Sequence, residues 1–319
     1  GEEKIITKLL RDDFVKYMDS LYAPENMVLV YAGNIPKDIE KIAQKYFLNL
    51  PERSKYKCKG YKKSKQVRSK VDIFYKKTDQ ANLILGVEAY DRVSPKRYAA
   101  RILATILGEG MSSRLFIQVR ERRGLAYHVS TSYYSYIDTG AMTIYTGLKL
   151  EKVLEGLKVI LAEISRIVSE KVSDEELKKA KEMMRGHLAI RSESTNFLAE
   201  YLGTEFVLDR KVETFDEYLE KIDAVSVEDV QEVAEELFKS EKFNLQIIGP
   251  FKNKKPFEKI LTAWQKVLNN DNLILMANLT DELKTALSSV VSDVGDVVAI
   301  TRDVAKDFIL GTLKAGGDL

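Results

Sequence analysis

The segment 107–127, LGEGMSSRLFIQVRERRGLAY, holds the side chains of this chain that best suit chemistry. A glycine-containing stretch opens a short predicted helix with four arginines, and Gly124 ends that helix before a predicted strand. Arg120 and Tyr127 lie on either side of this helix-to-strand turn, so both can project into one space. A fixed cation and a phenol hydroxyl aimed at one point suit a peptide carbonyl or an oxyanion. The plainer interpretation pairs Arg120 with a surface carboxylate and packs Tyr127 in the sheet, because most helix-end arginines are solvated.

Other kinds of catalytic site have little support in the sequence. The only histidines are His128 and His187, and no HxxEH, HExxH or clustered Cys/His pattern occurs. We therefore expect no zinc site, and no other cofactor site, built by this chain alone. There is no GxSxG pattern, and Cys58 is far in sequence from both histidines, so a nucleophilic site is not expected.

Composition places the chain among soluble globular proteins, with 45% hydrophobic and 31% charged residues. Its 319 residues favour two domains. No apolar stretch is long enough to cross a membrane, so we expect no membrane partner. A single cysteine favours a reducing compartment, and we expect a cytoplasmic protein.

The net charge of +2 hides one strongly basic segment at 53–70, which has nine basic residues and no acidic one. A solvated linker between two domains is the plainer explanation of such a run. Binding of RNA or of an acidic surface through this segment is a less favoured alternative, because a basic run alone is a weak footprint.

Hydrophobic spacing and turn residues predict the elements that position these side chains. A helix–strand unit near the start of the chain recurs 216 residues later, as Asp13/Asp229 and Gly33/Gly249 illustrate. This constant offset indicates a duplicated domain whose first copy lacks its body. The predicted helices are at 11–22, 36–47, 94–107, 112–122, 150–169, 174–192, 194–208, 214–222 and 226–239, and the predicted strands are at 26–33, 71–77, 81–89, 125–136, 141–148 and 243–249.

Residues 108–127 resemble the signature of the insulinase/pitrilysin-type zinc metallopeptidases, the inverted zincins, which are related to the mitochondrial processing peptidase subunits. The unit LYAPENMVLVYAGNI at 21–35 resembles the end of that family's N-terminal domain. The resemblance covers about residues 1–260. It implies two homologous α+β domains, with the family's HxxEH zinc motif in the body of the first domain, which this chain lacks.

The resemblance also implies roles for named residues. In the family, an Arg and a Tyr seven residues apart in the second domain bind the scissile peptide and stabilise the tetrahedral intermediate, and Arg120 and Tyr127 match them. The family's glycine-containing loop before this helix helps to contact substrate. The matching residues here are Gly108, Gly110, Ser112 and Ser113.

We therefore expect an α+β protein with a mostly antiparallel sheet covered by helices. The expected domains are 1–51, the end of a truncated first domain; 52–70, a basic linker; 71–260, a complete substrate-binding domain; and 261–319, an appended helical tail. The expected function is the substrate-binding half of a zinc endopeptidase, with a peptide as substrate and zinc supplied by missing residues or a partner subunit in a homo- or hetero-dimer. The alternative from the same family is a non-catalytic core-like subunit.

Overall fold

The computed structural model describes residues 2–53, 60–62 and 65–269 of the chain. The basic segment and Cys58 lie largely outside these ranges, and so does the expected tail beyond residue 269. The helices are α1 Glu3–Ile6, α2 Arg11–Leu21, α3 Ile39–Phe47, α4 Arg97–Gly108, α5 Val153–Ser169, α6 Asp174–Ser192, α7 Thr195–Asp209, α8 Phe215–Asp223, α9 Val227–Leu237 and α10 Lys255–Asn269, and the strands are β1 Lys70–Tyr75, β2 Gln80–Ala89, β3 Ala126–Ser135, β4 Gly140–Lys149 and β5 Asn244–Gly249.

One five-stranded sheet organises the fold, in the order β1-β5-β2-β4-β3. Only β1 and β5 are parallel, and the other neighbours are antiparallel. The expected α+β class, with a mostly antiparallel sheet, is therefore confirmed. Apolar residues alternate with polar ones along β2, so that Leu83 and Leu85 face the core while Asn82 and Ile84 face away from it.

Helices cover one face of this sheet and leave the other open. Helix α4 contacts β3 and α9, and α5 contacts β4, α9 and α10. Helix α10 crosses residue 260, where the sequence placed a domain boundary, and it buries Leu261 and Trp264 in the core. The core of the second domain therefore extends along this helix beyond residue 260. No helix in the described ranges is long and apolar enough to cross a membrane.

The repeat seen in the sequence is also present in the structure. Helix α2 and α9 have bounds that differ by 216 at both ends, and each is followed by a short 3₁₀ helix, Pro24–Asn26 or Ser240–Lys242, with the same offset. Helices α3 and α10 also start 216 residues apart. Burial differs, however: α9 and α10 bury apolar residues against the sheet, whereas α2 and α3 bury none.

The strand predicted at 26–33 is wrong. In the second copy the corresponding segment forms β5, but residues 27–32 pair with no strand in the described part of the chain. Extended chain becomes a strand only when a neighbour completes its ladder hydrogen bonds. Here the segment lies along α7 instead, where a Cβ on Gly203 would be 3.2 Å from Val30 Cγ2 and a Cβ on Gly33 would be 3.2 Å from Thr195 Cγ2.

Candidate functional site

Arg120 lies in a π-helical turn, Phe116–Glu121, which continues a single helical turn that starts at Arg114. The wider turn is visible in the bond from the Arg122 N–H to the Ile117 carbonyl, 2.9 Å long and spanning five residues. The Arg120 side chain is exposed, and its guanidinium carbon lies 4.8 Å from the centre of the Phe116 ring. This stacking restrains the cation without neutralising it. π-Turns are frequent at functional sites.

A glycine turn joins this helical segment to β3. The Gly124 N–H donates to the Arg120 carbonyl at 3.0 Å, and the Leu125 N–H donates to the Val119 carbonyl at 2.9 Å. Gly124 has a φ of +57°, in the left-handed region that favours glycine. A Cβ there would meet no atom within 4 Å, so backbone conformation alone explains the glycine. The turn brings Tyr127 into position three residues later.

Tyr127 is the extra residue of a β-bulge. In the pairing of β3 with β4, Ala126 lies opposite Leu148 and His128 lies opposite Gly147, which leaves Tyr127 without an opposite residue. The bulge changes the normal alternation, so that Tyr127 and His128 are both exposed and the Tyr127 side chain is 70% accessible. Bulges commonly redirect a side chain beside an active site. Arg120 and Tyr127 thus each depend on an irregular piece of backbone.

Tyr127 stands at one end of the open face of the sheet. The imidazole of His128 lies 5.6 Å from the Tyr145 ring, and its Nε2 is 3.1 Å from Ser130 Oγ. The Tyr145 hydroxyl donates to Asn82 Oδ1 at 2.8 Å. The face that adjoins the candidate site is therefore aromatic with scattered hydrogen-bonding groups, a surface that suits a peptide.

The loop before the helical segment divides into buried and exposed residues. Gly108 is buried against β3, and the Ser113 hydroxyl donates to the Gly110 carbonyl at 2.8 Å inside the loop. Gly110 has a φ of +77°, and it is exposed together with Ser112. Only Gly110 and Ser112 of the four expected loop residues thus present surface to solvent.

Charged residues that the sequence analysis did not single out lie beneath the helical segment. Arg114 forms a double hydrogen bond with the Glu176 carboxylate, at 2.8 and 2.9 Å. This bond is the main reason why the pKa of Glu176 lies below its usual value. Burial raises the pKa of Glu163, against the opposing influence of Arg166 and Arg114. The capping box from Ser173 to Glu176 was visible in the sequence, but nothing there linked it to Arg114, 62 residues away.

The described residues do not suit a zinc ion. Across residues 2–53, 60–62 and 65–269, no three His, Cys, Asp or Glu side chains are placed to hold a metal. His128 lies on β3 and contacts Ser130 and Tyr145, whereas His187 is exposed in the middle of α6. The site therefore offers a cation and hydroxyl groups to a ligand, and we derive no metal-dependent step from it.

Comparisons with known proteins agree with this fold. Residues 8–184 match the family described as the peptidase M16 inactive domain. A relative from Bacillus subtilis, named uncharacterized zinc protease YmxG, is 34% identical over 256 residues, which are 79% of this chain and 61% of the relative.

Two solved structures share the fold. A peptidase M16 inactive domain from Pseudomonas fluorescens superimposes with a TM-score of 0.70 at 22% identity, covering 80% of this chain and 61% of that one. A chain of complex III2 from Candida albicans has a TM-score of 0.68 at 19% identity, covering 82% of this chain and 64% of that one. The present chain spans about three fifths of the length of the relatives and structures it matches.

Proposed function

Since the chain belongs to the peptidase M16 family, we propose that it is the peptide-binding half of a zinc peptidase. One observation carries the proposal. Arg120 and Tyr127, seven residues apart, are both exposed, and a π-turn and a β-bulge that meet at one glycine turn position them. An arrangement built from two irregular backbone features is hard to explain by packing alone.

The two side chains would act on a peptide carbonyl. The Arg120 guanidinium and the Tyr127 hydroxyl are hydrogen-bond donors, and a carbonyl oxygen gains negative charge when the peptide bond is attacked. Donors held in place before the reaction stabilise that charge most, because they do not need to reorganise. The stacking of Arg120 on Phe116 provides such restraint. Gly110 and Ser112, which are exposed beside the segment, would contact the peptide on one side.

The zinc-bearing part would be a separate domain or subunit. The first repeat supports this proposal, because α2 and α3 expose the face that α9 and α10 bury. Phe14 and Met18 are 58% and 48% exposed, whereas Val230 and Ala234, 216 residues later, are completely buried. By analogy with the second copy, a β-sheet would cover this face. We propose that residues 1–51 belong to that sheet-bearing domain and that 52–70 connect it to the domain that begins at 71.

A reconstitution experiment tests the proposed function. The chain is combined with a segment that carries the HxxEH motif of a family member, and cleavage of a fluorogenic peptide is followed. We expect cleavage by the mixture and none by either part, and Arg120→Gln should lower the rate of the mixture by about 100-fold or more. Equal rates for the wild-type mixture and the Arg120→Gln mixture would refute the role of Arg120.

The second candidate is a non-catalytic subunit of an assembly. It is favoured by the fold shared with a chain of complex III2. In that case the chain would associate with its partner as tightly, but neither Arg120 nor Tyr127 would affect anything beyond local stability. The reconstitution experiment separates the two candidates, because a scaffold gives a stable complex without cleavage.

A further inference from the structure

A buried ion pair ties the segment that carries Arg120 to helix α6. Arg114 lies six residues before Arg120, and its guanidinium side chain is only 13% exposed. It donates from Nε and Nη2 to the two oxygens of Glu176, at 2.8 and 2.9 Å. This planar, two-bond geometry fixes orientation as well as distance, which a lysine could not do.

Glu176 is itself held in place. It is the third residue of α6, where its carboxylate accepts from the Ser173 N–H at 3.2 Å and its own N–H donates to Ser173 Oγ at 3.1 Å. This capping box fixes the first turn of the helix. Leu177 and Ala180 then bury that end of α6 in the core. The arginine is thus bound to a carboxylate that has little freedom to move.

A second carboxylate lies beneath the same arginine. Glu163 of α5 is 5% exposed and lines a cavity of about 290 Å³ together with Arg114, Arg122 and Glu176. Glu163 Oε2 and Arg114 Nη1 are both buried without a hydrogen-bond partner in the described part of the chain. A polar cavity of this size can hold water that links the two groups. Glu163 therefore provides a second buried charge opposite the guanidinium.

The cavity adjoins the π-turn itself, because Ile117 and Gln118 also line it. The turn thus has a polar cavity on one side, and Leu115 and Val119, both completely buried, fix it on the core side. With the Arg114 pair removed, the start of the segment would be free to shift into the cavity. Arg120, one and a half turns further on, would shift with it.

We infer that Arg114 is a positioning residue for Arg120, which it holds in place through Glu176 and Glu163. This inference rests on the proposed function, since it concerns the same site. Catalytic groups need placement to within about half an ångström, and a displacement of about 1 Å can lower a rate by about 100-fold. Arg114 would therefore influence the reaction without contacting the peptide.

A double-mutant cycle tests the inference in the complete two-domain zinc protein. Arg114→Lys keeps the charge and loses the two-bond geometry, so we expect kcat to fall by about tenfold or more with KM changed less than about threefold. In an Arg120→Gln background, Arg114→Lys should change kcat by less than about twofold, because the group it positions is gone. Arg185→Lys is the matched control: Arg185 lies on α6 and pairs with Asp223 at 2.8 Å, away from the segment. It should leave kcat unchanged.

The outcomes separate this inference from the proposed function. If Arg120→Gln lowers kcat but Arg114→Lys does not, or lowers it by the same factor in both backgrounds, Arg114 is a structural residue and the inference is wrong. If Arg120→Gln leaves kcat unchanged, the proposed function itself fails. Glu176→Gln keeps the shape of the partner and should reproduce the effect of Arg114→Lys. Thermal melts identify any variant that loses activity through unfolding.

Discussion

Alanine at Gly108 should destabilise the protein, although alanine normally favours a helix over glycine. Gly108 is the last residue of α4, where it approaches β3 closely. A Cβ at this position would lie 2.3 Å from both the backbone nitrogen and Oγ1 of Thr131. Because backbone cannot move aside as a side-chain end can, α4 and β3 must separate. Gly186 is the matched control, since it lies in the middle of α6 and its Cβ would meet no atom within 4 Å.

The two substitutions should have opposite signs. Gly186→Ala gains helix propensity and should raise the free energy of unfolding by about 0.8–1 kcal/mol. Forcing an extra methyl group into a packed contact costs about 1–3 kcal/mol, so Gly108→Ala should be destabilising by about 1–2 kcal/mol after the same gain is subtracted. For a folded region of this size, 1 kcal/mol corresponds to a shift in melting temperature of about 2–4 °C.

Urea denaturation followed by tryptophan fluorescence measures both effects. Trp264 is the only tryptophan, it is 7% exposed, and its Nε1–H donates to Ser165 Oγ at 2.7 Å in the core. Its emission therefore reports unfolding of the sheet-bearing domain. If both alanine variants stabilise the protein equally, the close approach of α4 to β3 is wrong. Thr131 is four residues beyond Tyr127 on β3, so Gly108→Ala should also impair peptide cleavage.

Three further predictions concern metal, mobility and pH. Metal analysis of the dialysed chain should find less than one zinc per chain, and a tightly bound zinc with chelator-sensitive cleavage would contradict this. Hydrogen exchange should be faster in α2 and α3, which bury no residue, than in β2 and β5, and equal protection would mean that the first repeat is covered. Burial raises the pKa of Glu163, so folding binds its proton more tightly and stability falls as the pH rises above about 4.3, the ordinary glutamate value. Glu163→Gln should therefore gain stability relative to wild type between pH 4 and pH 7 in denaturation curves, and a constant difference would refute the assignment.

Much of the fold could be predicted from hydrophobic spacing. The helices at 11–22, 174–192 and 226–239 agree with α2, α6 and α9 to within a few residues, and the capping box at Ser173 was correctly identified. These elements are local, because their periodicity and caps are encoded within a few turns. The segment 26–33 carries the same pattern as β5 but forms no strand, because strand formation also depends on a partner that the local sequence does not reveal.

The candidate site shows a second limit of local patterns. The spacing of Arg120 and Tyr127 predicted that they flank one turn, and the structure has them there. The π-turn and the β-bulge could not be predicted, because each inserts one residue without a change in residue type. The contact of Arg114 with Glu176 also joins distant parts of the chain, so it was visible only in three dimensions.

The most direct test of the central claim is the kcat of Tyr127→Phe in the complete two-domain zinc protein. The substitution removes only the hydroxyl, and the side chain is 70% exposed, so the fold and the melting temperature should be retained. We predict that kcat falls by about 100-fold or more while KM changes by less than about threefold, because the hydroxyl acts on the developing oxyanion. A kcat within twofold of wild type, with an unchanged melting temperature, would show that Tyr127 plays no part in peptide cleavage.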